Sequence, residues 1–283
     1  MSETSISSTL QPGYILHYRE YQESSLIIEA FSLAQGRISL MAKSARGSRP
    51  AVRALYQPFR PLLLSWVGSG ELRTLTGIEE AGPALSLSDA RLACGYYINE
   101  LVLRLLGKDQ PQENVFAFYA LALSDLEQAA ISYEAVLRSF ELQLLEVLGV
   151  LPDLLRCTAD GSDIIAECEY HYHPANALAV PVQGSDGLGL LKEKHRMGNE
   201  FATEGGKVSV QSPSVHPDGI TTDDGIRVFG KTLMAMHHLE FDDAEVLAQC
   251  RVLMRQILRV QLGDRPLKSR ELFAALAGSG RGR

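Results

Sequence analysis

The hydrophobic period of this chain changes at Pro83. Before it, apolar residues come in short runs rich in β-branched and aromatic types, bounded by Gly, Ser and Gln. After it, they recur at helical spacing. Alternation suits a half-buried strand and a period of about 3.6 suits an amphipathic helix, so one packing layer cannot serve both regions. The first region predicts strands over Gly13–Tyr21, Leu26–Leu33, Arg37–Ala42, Pro58–Val67 and Leu72–Ile78. Gln35-Gly36 and Gly68-Ser69-Gly70 supply turns. So many short strands in so little chain suggest a small barrel or sandwich.

Beyond Pro83 the pattern predicts a helix over Asp89–Leu106, capped by Ser88 and ended by Gly107. Leu92, Tyr96, Asn99, Leu103 and Leu106 lie along one side of it. Helices follow over Gln112–Gln128 and Tyr133–Leu148, the latter closed by Gly149 and Pro152. Asp153–Pro217 is rich in Gly, Pro, His, Asp and Ser, with weak strands at Glu169–His173 and Ala177–Val182, and reads as an irregular insertion. Helices return over Thr222–Leu239, capped by Thr222 or Asp223, and over Asp243–Leu262. A length of 283 residues exceeds what one typical core needs. The expected class is α+β, with one domain over residues 1–82 and a helical one over 83–283.

Met1 to Leu10 is polar and holds Glu3 without Lys or Arg, which is no signal-peptide pattern. No apolar run approaches the roughly eighteen residues of a membrane span. Cys94, Cys157, Cys168 and Cys250 form no C-x-x-C pair, so reduced thiols in a cytoplasmic protein are expected.

The net charge of -7 hides an asymmetry. Residues 1–80 carry eight Lys and Arg against seven Asp and Glu, leaving +1 there and -8 in the remainder. Between Ala30 and Gly70 there is no acid, while Arg37, Lys43, Arg46, Arg49, Arg53 and Arg60 all fall within that stretch. Regional charge of this kind marks an anion-binding surface that a whole-chain pI of about 5.6 conceals. The segment from Lys43 to Gln57 holds most of the cations, separated by small residues, and reads as a flexible loop. Guanidinium groups there suit a phosphate backbone, and Tyr56, Phe59 and Trp66 stand near enough in sequence to stack on bases. The plain alternative is a solvated loop over core aromatics.

Three other constellations compete for attention. Gly225-Ile-Arg-Val-Phe-Gly230-Lys231-Thr232 matches the phosphate-loop expression G-x-x-x-x-G-K-S/T and would make the chain a nucleotide hydrolase. That loop needs a strand before it and small residues within it; Thr221 to Asp224 reads as no strand, and Ile226, Phe229 and Leu233 recur at helical spacing. Cys157, Cys168, His171 and His173 are metal-ligand types, but their spacing is no standard knuckle, and the two His alternate with Tyr170 and Tyr172 as on an exposed strand face. Arg251, Arg255 and Arg259 form a stripe on the last helix, followed by Arg265, Lys268 and Arg270. The helix dipole accounts for a cation at Arg259 but not for the whole stripe, so Arg251, Arg255, Arg259, Lys268 and Arg270 are candidates for a second basic surface, for DNA or an acidic peptide. No H-E-x-x-H or G-x-S-x-G motif occurs, and nothing argues positively for an enzyme.

Several ordered stretches carry a resemblance: Glu23-Ser24-Ser25-Leu26 with Phe31 and Gly36-Arg37; Ala42-Lys43-Ser44-Ala45-Arg46; Gln57-Pro58-Phe59; Tyr97-Ile98-Asn99-Glu100-Leu101; Arg138-Ser139-Phe140-Glu141-Leu142 with Leu148-Gly149; and Leu262-Gly263 with Pro266 to Phe273. The chain resembles the RecO family of bacterial recombination mediators. The resemblance implies an N-terminal five-stranded OB-fold β-barrel, a helical domain, binding of single- and double-stranded DNA, and strand annealing. It also implies partnership with RecR and with the acidic C-terminal tail of single-stranded DNA-binding protein, to help load RecA. A nucleoid-associated place in the cytoplasm and no cofactor go with it. Arg37, Lys43, Arg46, Arg49, Arg53, Tyr56 and Arg60 are the candidates for DNA. Arg104 and Arg138, each on a Leu-rich helix, are the candidates for the acidic tail.

Two departures from the family pattern stand out. Many members carry four cysteines as a zinc module. Here Cys157 stands where the first would be and Asp160 where the second would be. The later pair, expected shortly after Gly205-Gly206, is absent, with Ser209 and Ser212 nearby, so no zinc is expected. Ser44 also stands where the family usually has Gly.

Overall fold

Alternation along the first strands turns Ile15, Leu26, Ile28, Ala30, Ile38, Leu40, Leu62, Leu64 and Trp66 into one buried cluster. Burying a large apolar side chain contributes about 1.5–3 kcal/mol, so this cluster dominates the stability of the region. In the computed structural model, which describes residues 7–151, 153–173, 178–182, 225–263, 265–269 and 272–273, the cluster fills a closed barrel. Its strands are β1 (Ser7–Tyr21), β2 (Ser25–Ser32), β3 (Gly36–Ala42), β4 (Leu62–Val67) and β5 (Arg73–Glu80). The order around the barrel is β1-β2-β3-β5-β4, with β3 and β5 parallel and the other pairs antiparallel. This is an OB-fold barrel. β4 starts at Leu62 rather than Pro58, because Pro58 lacks an N–H and Phe59 takes a left-handed φ of 63°.

The chain divides into two compact units, residues 1–147 with 262–283 and residues 148–261. The first unit joins the barrel to α2 (Asp89–Leu105), α3 (Glu113–Glu127) and α4 (Tyr133–Val147). Phe31 of β2 meets the rings of Phe116 and Tyr119 on α3 at 5.3 and 5.8 Å. Tyr14 meets the same two rings at 5.7 and 5.1 Å. The inward side of α2 is Ala93, Cys94, Tyr97, Ile98, Leu101 and Val102 with Asn99, while Tyr96, expected inside, is exposed.

The second unit holds a three-stranded antiparallel sheet of β7 (Leu178–Pro181), β6 (Glu169–His173) and β8 (Ile226–Phe229). Two helices follow, α5 (Gly230–His238) and α6 (Ala244–Leu262). Asp243 caps α6, accepting the Glu245 N–H at 2.7 Å. The helix expected from Thr222 begins only at Gly230. Ile226 and Val228 instead extend and pair with Tyr172 and Tyr170 of β6. Thr222 and Asp223, and most of the expected insertion, lie outside the described residues.

Candidate nucleic-acid interface

The basic segment between β3 and β4 is ordered secondary structure rather than the flexible loop its composition suggested. A 3-10 turn spans Ala45–Gly47 and a short helix, α1, spans Pro50–Leu55. Pro50 sits in the first turn of α1, where its missing N–H costs nothing. Ala45 and Tyr56 belong to the buried barrel cluster, and Val52 and Leu55 pack against it. The Arg46 N–H donates to the Ser24 carbonyl at 2.9 Å, tying the turn to the β1–β2 connection. Ser44 starts the segment in the left-handed region, with φ 55° and ψ 17°. Glycine adopts that conformation without strain, whereas Ser44 carries a Cβ there.

Packing the apolar side inward leaves Lys43, Arg46, Arg49 and Arg53 exposed. Arg46 pairs with Glu20 at 3.2 Å on the surface. Lys43, Arg49 and Arg53 have no ion pair among the described residues. Arg49 and Arg53 are four residues apart, with the Arg53 N–H donating to the Arg49 carbonyl, so their charges share one face. Like charges at that spacing oppose folding by a few tenths of a kcal/mol, roughly, and no acid within the segment offsets them.

The other sequence candidates serve the scaffold. Arg37 donates to the carbonyls of Leu103 and Leu106, closing the C-terminal end of α2, and lies 3.9 Å from Glu29. With Lys108 on Ser39 at 2.5 Å, and Phe31 against α3, the outer side of β2 and β3 is covered. Tyr56 is 7% exposed and part of the barrel core, so its ring is closed to stacking. Arg60 pairs with Glu80 at 2.5 Å. Arg104 donates to the carbonyls of Leu262, Arg265 and Pro266 at 3.0, 2.8 and 3.1 Å. Its neighbour Glu100 accepts the Lys268 and Ser269 N–H groups, both at 2.9 Å. Arg138 lies 2.7 Å from the buried Glu141, which also accepts the Tyr97 hydroxyl at 2.5 Å. These groups hold the helices and the 262–269 segment in place. Sequence shows their charges but not the carbonyls and carboxylates that meet them.

Arg251, Arg255 and Arg259 lie exposed along α6, beside Val252 at 52% and Val260 at 49% exposure. Lys268 is exposed, and Arg270 lies outside the described residues.

The Gly225–Thr232 match is occupied by the chain itself. A strand does precede Gly230, but it is β8, made of the four residues that a phosphate loop would need as its cradle. The N–H groups of Gly230 and Lys231 donate to the carbonyls of Cys168 and Ala166 at 2.8 and 2.9 Å. Lys231 Nζ reaches Glu245 at 2.6 Å, and Thr232 Oγ1 donates to Gln249 at 2.8 Å. A Cβ on Gly230 would stand 1.9 Å from the Ile165 carbonyl oxygen. Close backbone approach, not phosphate, accounts for this glycine.

Around Cys157 the chain forms a tight turn. The Cys157 N–H donates to the Ser162 carbonyl at 2.7 Å and the Gly161 N–H to the Cys157 carbonyl at 2.8 Å. Asp160 accepts the Ser162 N–H at 3.0 Å and the Ser162 hydroxyl at 2.7 Å. Among the described residues, no three His, Cys, Asp or Glu are grouped to hold a metal. His173 is buried rather than on an open strand face, and His171 is half-buried.

A closed OB-fold barrel carrying Lys43, Arg49 and Arg53 exposed and without ion pairs among the described residues defines the class: an OB-fold protein with a cationic segment. Family comparison gives the class its particular member. Residues 6–83 match the model "Recombination protein O N terminal", and residues 89–186 match "Recombination protein O C terminal". The DNA repair protein RecO of Alkalilimnicola ehrlichii is 37% identical over 95% of this chain and 92% of its own. That of Haemophilus influenzae is 32% identical over 95% of this chain and 97% of its own. That of Methylococcus capsulatus is 36% identical, covering 93% and 92%. The chain belongs to the RecO family, and so to the proteins of DNA repair and recombination. No helix among the described residues is long and apolar enough to cross a membrane.

Proposed function

We propose that this protein is a non-enzymatic, DNA-binding recombination mediator. It binds and anneals single-stranded DNA, also holds duplex, and with RecR helps load RecA onto DNA covered by single-stranded DNA-binding protein. Residues 1–82 are the DNA-binding domain and 83–283 the helical domain, working in the cytoplasm at the nucleoid without a cofactor. The observation that carries this reading is the set Lys43, Arg49 and Arg53. They are exposed, without ion pairs among the described residues, on a segment whose other side plugs an OB-fold barrel. Cations so placed neutralise phosphates and release counterions, which gives affinity without base specificity.

The acidic tail of single-stranded DNA-binding protein needs cations beside apolar side chains. Arg104 and Arg138 are engaged within the fold. Arg255 and Arg259, with Val252 and Val260 on the same helix, supply that chemistry.

A salt titration of oligonucleotide binding tests the DNA reading. Three phosphate contacts give a log–log slope of about -2 on single strands, from about -0.7 per contact. Replacing Lys43, Arg49 and Arg53 with Ala should flatten it. An unchanged slope and affinity in a folded variant would remove the site.

A further inference from the structure

The cationic segment ends beside two aromatic rings that the sequence places far apart. Gln57 follows Arg53 by four residues, and its N–H still donates to the Ala54 carbonyl, so the turn of α1 carries on to it. Gln57 Nε2 donates to the Tyr18 hydroxyl at 3.3 Å on the surface, fixing a ring half-buried against the barrel core. Tyr96, on α2, is 38% exposed. It stands edge-on to Phe59, with ring centroids 5.1 Å apart and planes at 72°. Gln57 and Phe59 are two residues apart, so the ring that Gln57 holds and the ring that Phe59 meets belong to one neighbourhood.

The backbone is bent to build this arrangement. Phe59 has φ 63°, an uncommon conformation for a bulky residue. Its ring fits against Gly95, where a Cβ would stand 2.8 Å from Phe59 Cε1. The buried Phe59 therefore packs against Tyr96, which keeps part of its surface in solvent.

We propose that Tyr18 and Tyr96 form a stacking platform for unpaired nucleobases at the end of the Lys43–Arg53 cation segment, so that this surface favours single strands over duplex. The proposal rests on the DNA-binding reading above. Its occupant follows from charge: a ligand held by Lys43, Arg49 and Arg53 is a polyanion, and of the polyanions a single strand also offers flat aromatic faces. Every base has such a face, so stacking adds affinity without choosing a sequence. In a duplex those faces are already stacked on one another, and only the phosphates remain to bind.

Three probes test it: an oligothymidine strand, a strand of the same length lacking bases, and a duplex of that length. The wild-type protein should bind oligothymidine more tightly than the abasic strand. Tyr96→Leu should weaken oligothymidine binding by about tenfold, the size of one lost stacking contact. It should leave the abasic strand and duplex unchanged, and Tyr96→Phe should restore the loss. Tyr18→Leu should act in the same direction, with thermal melting used to confirm folding. Equal wild-type affinity for oligothymidine and the abasic strand overturns the platform without any variant. A folded Tyr96→Leu protein that binds oligothymidine like wild type also overturns it. Failure to bind any of the three probes would instead remove the DNA-binding reading on which it rests.

Discussion

Asn99 donates from Nδ2 to the carbonyl oxygen of Leu16 at 2.9 Å, joining α2 to the first strand of the barrel. The register of β1 on β2 shifts between Ile15 and His17, and this bulge takes the Leu16 position out of the regular pairing with β2. Asn99 Oδ1 in turn accepts the Tyr119 hydroxyl at 2.7 Å, so one 2%-exposed amide serves both β1 and α3.

Replacing Asn99 with Ala would strand a buried carbonyl and a buried hydroxyl. Each such loss costs about 1–3 kcal/mol. The Asn99→Ala protein should therefore melt at least about 5 °C lower than wild type. A melting temperature within about 1 °C would mean that water replaces the amide without penalty.

Ser44 bears a left-handed backbone at φ 55°. A residue with a Cβ is less stable there than glycine by roughly 1–2 kcal/mol. Ser44→Gly should raise the melting temperature and leave the DNA salt slope unchanged, since Ser44 carries no charge. Ser44→Val should lower it. A Gly variant no more stable than wild type would show that the extra freedom of glycine in the unfolded chain offsets the relieved strain.

Burial pulls the Asp160 carboxyl upward, but hydrogen bonds from the Ser162 hydroxyl, the Ser162 N–H and the Cys157 thiol hold it below the usual carboxylate range. A carboxylate held low in the folded state stabilises it above the unfolded pKa of about 3.9, and that contribution fades as pH falls through the lower folded value. The melting-temperature gap between wild type and Asp160→Asn should be widest near neutral pH and narrow as the solution is taken below about pH 4. A gap independent of pH would place the effect of Asp160 elsewhere than in its charge.

At the start of α5, Gly230 and Lys231 should behave oppositely to phosphate-loop residues. Gly230→Ala should disrupt the local fold, because the Ile165 carbonyl occupies the space of a Cβ. Lys231→Ala removes exposed ion pairs to Glu245 and Asp243 and a contact over the Phe229 ring, and should leave the fold intact. Nucleotide binding by the wild type that vanishes in Lys231→Ala would contradict this view, and a nucleotide-dependent melting shift is a direct way to look for it.

The barrel was legible because strand signals are local: the β-branched and aromatic runs of β2 and β3 stand out, and Gln35-Gly36 marks the turn between them. The location of the cationic segment was equally plain from charge. Its helical form was not, although Pro50 followed by Val52 and Leu55 carried a signal that the abundance of Ser, Gly and Arg concealed. Ile226, Phe229 and Leu233 fit a helical spacing, and only pairing with β6, a contact far away in sequence, decides that Ile226–Phe229 is a strand. Arg37, Arg104 and Arg138 look from sequence like any other exposed cation. What removes them from the surface are carbonyl groups and a carboxylate brought in by the fold. Tyr18 meets Gln57, and Tyr96 meets Phe59, for the same non-local reason.

On the DNA-binding reading proposed above, the anchoring of Ala45, Val52, Leu55 and Tyr56 in the barrel bears on how fast a strand can be captured. Ordering a backbone costs about 1–2 kcal/mol per residue, and here that cost is met during folding rather than at the moment of contact. If Lys43, Arg49 and Arg53 are the DNA site proposed above, they stand in place before a strand arrives, and capture is governed by diffusion and long-range attraction instead of by rearrangement. On that footing the association rate should fall steeply with ionic strength, while the time a strand stays bound depends on how many contacts it completes after arrival.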